Sequence, residues 1–348
     1  MSKLLKYLSP FAPDQSGAVS VLYEMGGLIV ICDAGGCTGN ICGFDEPRWF
    51  TKTSAVFSAG LRDMDAILGR DDKLVSKVQD AVSQTDVAFT AIIGTPVPAV
   101  IATDFRALRR MTENKTGLPA IAVEAPGTGW YDEGENHAML ALFHTFASEA
   151  FPPETGTVGV LGMTPLDLSN LRAGEIMADA LKRRGWSRAV CYGMGSGLDC
   201  VRRASAVKEN LVVSPAALET AEYLKKTFGT PYTVGCPFLP AYLKEQLIGL
   251  GGKRVLVIHQ QVLANAVRDQ ILQDADVDVT VASWFMLKSE LKQEHDFRLT
   301  NEQQFAEAVE SGGYDVIVGD SMLLRALRRY SGVFIDFPHF AVSGRLEQ

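Results

Sequence analysis

Short apolar runs recur along the chain, each followed by a turn rich in Gly, Pro or Asp and then by a stretch with apolar residues at helical spacing. The clearest case begins at Thr157-Val-Gly-Val-Leu-Gly162 and passes through Thr164-Pro-Leu-Asp167 into a helix ending near Gly185. Leu168, Leu171, Met177, Ala180 and Leu181 give that helix one apolar face. Asp167 is placed to cap its start, Lys182, Arg183 and Arg184 complement its C-terminal dipole, and Gly185 closes it in a left-handed conformation. Strands at Ala189–Tyr192 and Asn210–Val213, a helix after Gly197 and a helix at Ala217–Phe228 complete this unit. A second unit starts with strand Arg254–Ile258 and a helix from Val262. It adds strand Val277–Ala282, helix Asn301–Ser311, strand Asp315–Val318, helix Met322–Tyr330 and strand Val333–Ile335.

The N-terminal third is less regular. It predicts strands Leu28–Ile31, Ala88–Ile93 and Ala120–Val123, with helices near Ser54–Leu68, Lys73–Val82, Val100–Met111 and Asn136–Ala150. Strands alternating with helices mean parallel sheets covered on both faces, so the fold class is α/β, with three doubly wound domains. Boundaries fall at Phe151-Pro-Pro-Glu154 and Gly249-Leu-Gly-Gly252, dividing the chain into 1–152, 153–250 and 251–348. Ligands of such sheets sit outside the carboxyl ends of the strands, so a central cleft between the domains is the expected place for chemistry.

Charge and length narrow the function. The chain has 348 residues, 33 Lys and Arg against 41 Asp and Glu, and a net charge of -8. That balance speaks against nucleic acid, whose phosphates require clustered cations. The longest apolar stretches, such as Leu28–Cys32, are far shorter than the ~20 residues of a membrane span, and the N-terminus lacks a secretory pattern. The expectation is a cytoplasmic protein with reduced cysteines.

Three of the six cysteines lie together in Ile31-Cys-Asp-Ala-Gly-Gly-Cys-Thr-Gly-Asn-Ile-Cys-Gly43. Thiolates are the usual ligands of iron–sulfur clusters, and Gly35, Gly36 and Gly39 let backbone approach a bulky inorganic group. Cys32, Cys37 and Cys42 are therefore the candidate metal ligands, with the three glycines as the cofactor cradle. A plainer reading of the same residues has Cys32 ending a strand inside the core and two incidental thiols in a Gly-rich turn. Cys191, Cys200 and Cys236 read as core residues.

With these residues in view, the chain resembles the nitrogenase component 1 family. Gly-Gly-Cys37 looks like the family's cluster-ligand turn. Val56-Phe-Ser-Ala-Gly-Leu-Arg-Asp-Met-Asp-Ala-Ile-Leu-Gly69, Gly94-Thr-Pro-Val-Pro-Ala-Val-Ile-Ala-Thr-Asp104 and Asn210-Leu-Val-Val-Ser214 are similar to further family segments in the same order. The resemblance implies three Rossmann-like domains and a cluster, [4Fe–4S], at a dimer interface with a second copy or a homologous subunit. It also implies a separate ATP-dependent iron–sulfur reductase as electron donor, and a small-molecule substrate. Of the three cluster-cysteine positions per subunit only Cys37 is matched; the first falls near Ser9–Gly17 and the third at Val97. Cys42 is the compensating ligand, and Cys37 and Cys42 from each of two chains would supply the four a cubane needs. The family's cofactor-holding cysteine position is Ser214 here, and its histidine has no match, which argues against dinitrogen reduction. The expected function is that of a nitrogenase-like oxidoreductase subunit. A metallocofactor carrier or assembly scaffold, or a cluster-free small-molecule-binding protein, are the alternatives.

The remaining candidates come from the strand ends. His259 directly follows strand Arg254–Ile258, and Phe337-Pro-His339 follows the last strand, so each reads either as a substrate contact or as a satisfied strand-end histidine. In Gly127-Thr-Gly-Trp-Tyr-Asp-Glu-Gly134, Asp132 and Glu133, with His137 beyond them, are candidate proton donors, or part of a solvated loop with a capping Asp. Arg48 reads as balancing cluster charge and Trp49 as covering the cluster or simply packing. The chain has no phosphate-binding Gly-x4-Gly-Lys-Ser/Thr loop, so ATP enters only through a partner.

Overall fold

The computed structural model describes residues 5–347. Three parallel sheets follow one another along the chain, each flanked by helices. The first contains β1 (Leu28–Ile31), β2 (Ala55–Ser58), β3 (Thr90–Ile93) and β4 (Ala120–Val123) in the order β2-β1-β3-β4. The second contains β5 (Glu154–Leu161), β6 (Arg188–Cys191), β7 (Val207–Val212) and β8 (Tyr232–Val234) in the order β6-β5-β7-β8. The third contains β9 (Arg254–Ile258), β10 (Asp278–Ser283), β11 (Phe297–Arg298), β12 (Val316–Gly319) and β13 (Val333–Asp336) in the order β11-β10-β9-β12-β13. The expected α/β class is what the structure shows. Central strands such as β1, β3 and β12 are buried at every residue, which is why they read as unbroken apolar runs rather than alternating ones.

Register places the first sheet's functional edge. Ile31 lies level with Ser58 on β2 and Ile93 on β3, so the segments that begin at Cys32, Ala59 and Gly94 all leave the same end of the sheet. The cysteine loop is one of these segments.

Several elements differ from the sequence reading. The stretch expected as one helix over Ser54–Leu68 is strand β2 followed by helix Asp63–Leu68, because its first half pairs with β1. The helix expected over Val100–Met111 is two, Pro96–Val100 and Phe105–Thr116, with Asp104 capping the second through Arg106 and Ala107 N–H. The long helix after Thr164 is broken into Pro165–Leu168 and Ala173–Arg183 by Ser169, whose φ is +53°. Thr164, not Asp167, caps its start. The helix expected over Asn136–Ala150 spans Tyr131–Phe146, and the one over Met322–Tyr330 is a short 3-10 segment, Ser321–Ala326.

Helix Asp14–Leu22 has no counterpart in the sequence reading. All nine of its residues are buried, so it carries no polar face to reveal a helical period. It crosses helix Tyr131–Phe146 with the backbones in contact: a Cβ on Gly17 would sit 1.8 Å from the Tyr131 carbonyl oxygen, and one on Gly134 1.7 Å from that of Asp14. The segment before it is tied to the third sheet's layer. Glu302 accepts the N–H groups of Lys6, Tyr7 and Leu8, and Ala12 N–H donates to Ala341 O at 2.8 Å.

Candidate functional site

The cysteine loop is shaped by Asp33. This carboxylate is 1% exposed and accepts Thr38 N–H at 2.8 Å, Thr38 Oγ1 at 3.0 Å and Ser58 Oγ at 2.6 Å. These bonds fold the chain back over the end of β1, with Gly35 supplying the left-handed turn at φ +115°. A helical turn, Gly36–Asn40, then runs into a π-helical turn, Ile41–Asp45, closed by Glu46 N–H on Ile41 O at 2.8 Å. Widened turns of this kind recur at functional sites.

Cys37 and Cys42 lie on these two turns, each half-exposed. Burial raises both thiols above their ordinary value and Asp33 adds to it in both cases; Glu46 also acts on Cys42, while the Thr95 hydroxyl beside Cys37 works the other way. Both sulfurs therefore favour the protonated thiol. Cys32 is placed differently. Its side chain is packed among Ala59, Leu74, Val75, Ile92 and Phe105, and burial pushes its thiol up to about 12. Among the described residues no three His, Cys, Asp or Glu side chains are grouped to hold a metal ion. One chain thus presents two partly exposed thiols at this end of the first sheet.

The glycines of this loop have no reason within the chain. Gly36, Gly39 and Gly43 sit in helical turns, and a Cβ on any of them would meet no atom within 4 Å. Each costs about 1 kcal/mol relative to Ala in a helix. The loops at the same end of the sheet carry bare apolar side chains: Phe44 is 74% exposed, Phe50 77%, Ile67 75% and Val100 85%.

Arg48 holds the far end of the loop. Its guanidinium is fully buried and donates to Glu46 at 2.7 and 2.6 Å, Glu24 at 3.1 Å, Ser20 O at 2.7 Å and Gly193 O at 2.8 Å. Its charge is thus matched inside the protein, and it fastens the cysteine segment to helix Asp14–Leu22 and to the turn after β6. Trp49 is 38% exposed on the loop's outer side.

The second cluster of chemistry lies where the three sheets meet. Tyr131 from the first layer donates its hydroxyl to Asp167 from the second and lies 2.9 Å from His339 Nε2 of the third. His259 stacks on His339 with ring centroids 4.0 Å apart, and its Nδ1 accepts Gln260 N–H at 2.9 Å. Thr164 donates to Glu135 at 2.6 Å, Asp132 accepts Met286 N–H at 2.6 Å, and the Ser214 hydroxyl lies against Asp167. Burial raises the carboxyls of Glu135 and Asp167, and pushes Asp132 up to about 7. Burial likewise depresses His259 far below its usual range and His339 to about 3. The junction holds neutral imidazoles among carboxyls that favour their protonated form.

The family described as nitrogenase component 1 type oxidoreductase matches residues 14–240. This chain belongs to that family. Among curated relatives, the nitrogenase iron-molybdenum cofactor biosynthesis protein NifE of Clostridium pasteurianum is 27% identical over 180 residues, 51% of this chain and 38% of that protein. NifE of Klebsiella pneumoniae is 26% identical over 197 residues, 51% of this chain and 41% of that one. The chain therefore spans about two-fifths of the curated relatives it matches. Among solved structures, nitrogenase Cp1 at pH 6.5 superposes with a TM-score of 0.70 at 13% identity, covering 97% of this chain and 87% of the other. The same protein at pH 5 gives 0.70 at 13%, covering 99% and 86%. These superpositions establish the shared fold.

Within this nitrogenase component 1 fold, the sequence candidates separate. Cys37 and Cys42 share the surface end of the first sheet, with Val97 on the neighbouring helix Pro96–Val100. His259 and Asp132 meet at the buried junction, whereas His137 is exposed and stands apart. The expected open cleft at that junction is instead filled by the chain's own side chains, and only about 10 Å³ remains beside His259 and His339. Asp132 is consequently not in a solvated loop but inside a helix and 4% exposed. Sequence reasoning does not bring Tyr131, Glu135 and Asp167 together, because their meeting depends on three sheets packing; the position of Asp167 just after β5 is the available signal. Among the described residues no helix is long and apolar enough to cross a membrane.

Proposed function

We propose that this nitrogenase component 1 chain binds an iron–sulfur cluster, [4Fe–4S], between two subunits, Cys37 and Cys42 coming from each. The carrying observation is the set of helical glycines, Gly36, Gly39 and Gly43, left bare beside two half-exposed thiols. A sequence gives up helix stability at three positions where its own fold gains nothing only if something outside the chain comes close. An inorganic cluster and a partner backbone meet that requirement, and the apolar rim of Phe44, Phe50, Ile67 and Val100 supplies the surface the partner covers. Cys32 is left out of the ligand set because its sulfur is sealed in the core. In this reading residues 1–152 form the cluster-binding domain, with 153–250 and 251–348 as the second and third.

The cluster, when bound, supplies one-electron transfer. This chain's own residues place the Asp33 carboxylate near both half-exposed sulfurs, which favours a low potential. Electrons come from an ATP-dependent iron–sulfur reductase and leave to a small-molecule substrate, in the cytoplasm. A second reading, cofactor carriage during assembly, is favoured by the NifE relatives. Anaerobic reconstitution with iron and sulfide tests the cluster. About two irons per chain in a dimeric species are expected, lost in Cys37→Ala and Cys42→Ala and kept in Cys32→Ala. Iron retained by the Cys37→Ala and Cys42→Ala variants overturns the proposal. Oxidation of the cluster during turnover with the reductase separates the oxidoreductase from the carrier.

A further inference from the structure

With the three-sheet junction shut, the space for a small molecule lies elsewhere. A cavity of about 870 Å³ opens between the second and third sheets, within the range of small-molecule sites. Strand β7 forms part of its wall. On one face of that strand Val212 packs with Ala221 and Leu224 of helix Leu218–Phe228, whereas Leu211, on the opposite face, lines the cavity.

The far wall is helix Gln261–Asp274, which lines the cavity with Asn265, Asp269, Gln270 and Gln273, a polar stripe at helical spacing. Asn265 donates its Nδ2 to Leu291 O at 3.0 Å, and its buried Oδ1 has no partner among the described residues. Trp186 and Phe238 add aromatic surface. Three cations, Arg184, Lys244 and Lys292, are matched by three carboxylates, Glu209, Asp269 and Glu290. A lining without net charge does not select a phosphate, which calls for an excess of cations. Cys236 also lines the cavity, but burial pushes its thiol up to about 11, so it is no nucleophile. Amide and carboxylate groups in the same lining as two aromatic side chains suit a ligand with hydroxyls on its edge and an apolar ring face.

We propose that the cavity between the second and third sheets binds an uncharged, multiply hydroxylated ring compound. The proposal does not rest on the cluster. Calorimetric titration of the full chain with maltose and, separately, with adenosine tests it. Saturable binding of either, with Kd of about 1 mM or tighter, is expected, and the arm that binds tells a saccharide from a nucleoside. Trp186→Ala and Gln270→Leu should each weaken it about tenfold, the second without touching the core. Cys37→Ala should leave it unchanged, so that loss of cluster and loss of ligand are told apart. No saturable binding of either compound, or wild-type affinity in Gln270→Leu, overturns the proposal.

Discussion

Replacing Arg48 by Met tests how the cysteine segment is held. The substitution keeps much of the side chain's length and removes the guanidinium. Glu46, 2% exposed, then loses both of its charged contacts, at 2.7 and 2.6 Å, while Glu24 keeps Lys52 at 2.7 Å. Ser20 O and Gly193 O lose a donor as well. Breaking a buried pair by removing one partner costs about 3–5 kcal/mol, chiefly because the remaining charge is stranded. Urea unfolding should show a loss of that size. The double variant Arg48→Met with Glu46→Leu removes the stranded carboxylate and should recover about 2 kcal/mol of it. The same variants, reconstituted with iron, report whether the fastening reaches Cys42: Arg48→Met should retain less iron than wild type. A loss under about 1 kcal/mol, or strict additivity in the double variant, would refute the argument that Arg48 neutralises Glu46 inside the protein.

Other outcomes follow from the same geometry. Gly36→Ala and Gly39→Ala should leave the single chain as stable or up to about 1 kcal/mol more so, yet reduce dimer and iron content, measured by sedimentation and iron assay. Gly17→Ala should destabilise by several kcal/mol, on the order of the larger core overpacking costs, because its Cβ has backbone 1.8 Å away; a midpoint equal to wild type would count against the crossing. Asp132, raised from 3.8 to about 7, favours the folded state fully below pH 3.8, and this contribution is lost as pH rises to about 7. Asp132→Asn should therefore stabilise the protein at pH 8 relative to wild type and not at pH 4. His339, lowered from 6.5 to about 3, acts in the opposite sense: its contribution is complete above pH 6.5 and lost as pH falls to about 3, so His339→Gln should flatten the acid limb of the stability profile.

Much of the fold was legible because parallel strands buried on both faces leave continuous apolar runs, as at 255–258 and Leu28–Ile31. Helix Asp14–Leu22 was invisible for the converse reason: buried on all sides, it has no polar stripe against which a period can be counted. The cysteine loop announced itself through its residue types, but the difference between Cys32 and Cys37 lies in which side of β1's exit each sulfur takes, and spacing does not encode that. The junction was legible only as a place. Its strand-end histidines His259 and His339 could be located in sequence, whereas Asp167 read as a helix cap, and the fact that these side chains fill the space rather than line it depends on Tyr131 arriving from another layer.

The tie between the earliest described residues and Glu302 has a consequence for synthesis. Lys6, Tyr7 and Leu8 reach the ribosome exit about three hundred positions before the carboxylate that receives their amides, and Ala12 waits still longer for Ala341. The segment thus stays without these partners while the roughly three hundred intervening residues are made, and its docking onto the third sheet's layer is a late, long-range step of folding.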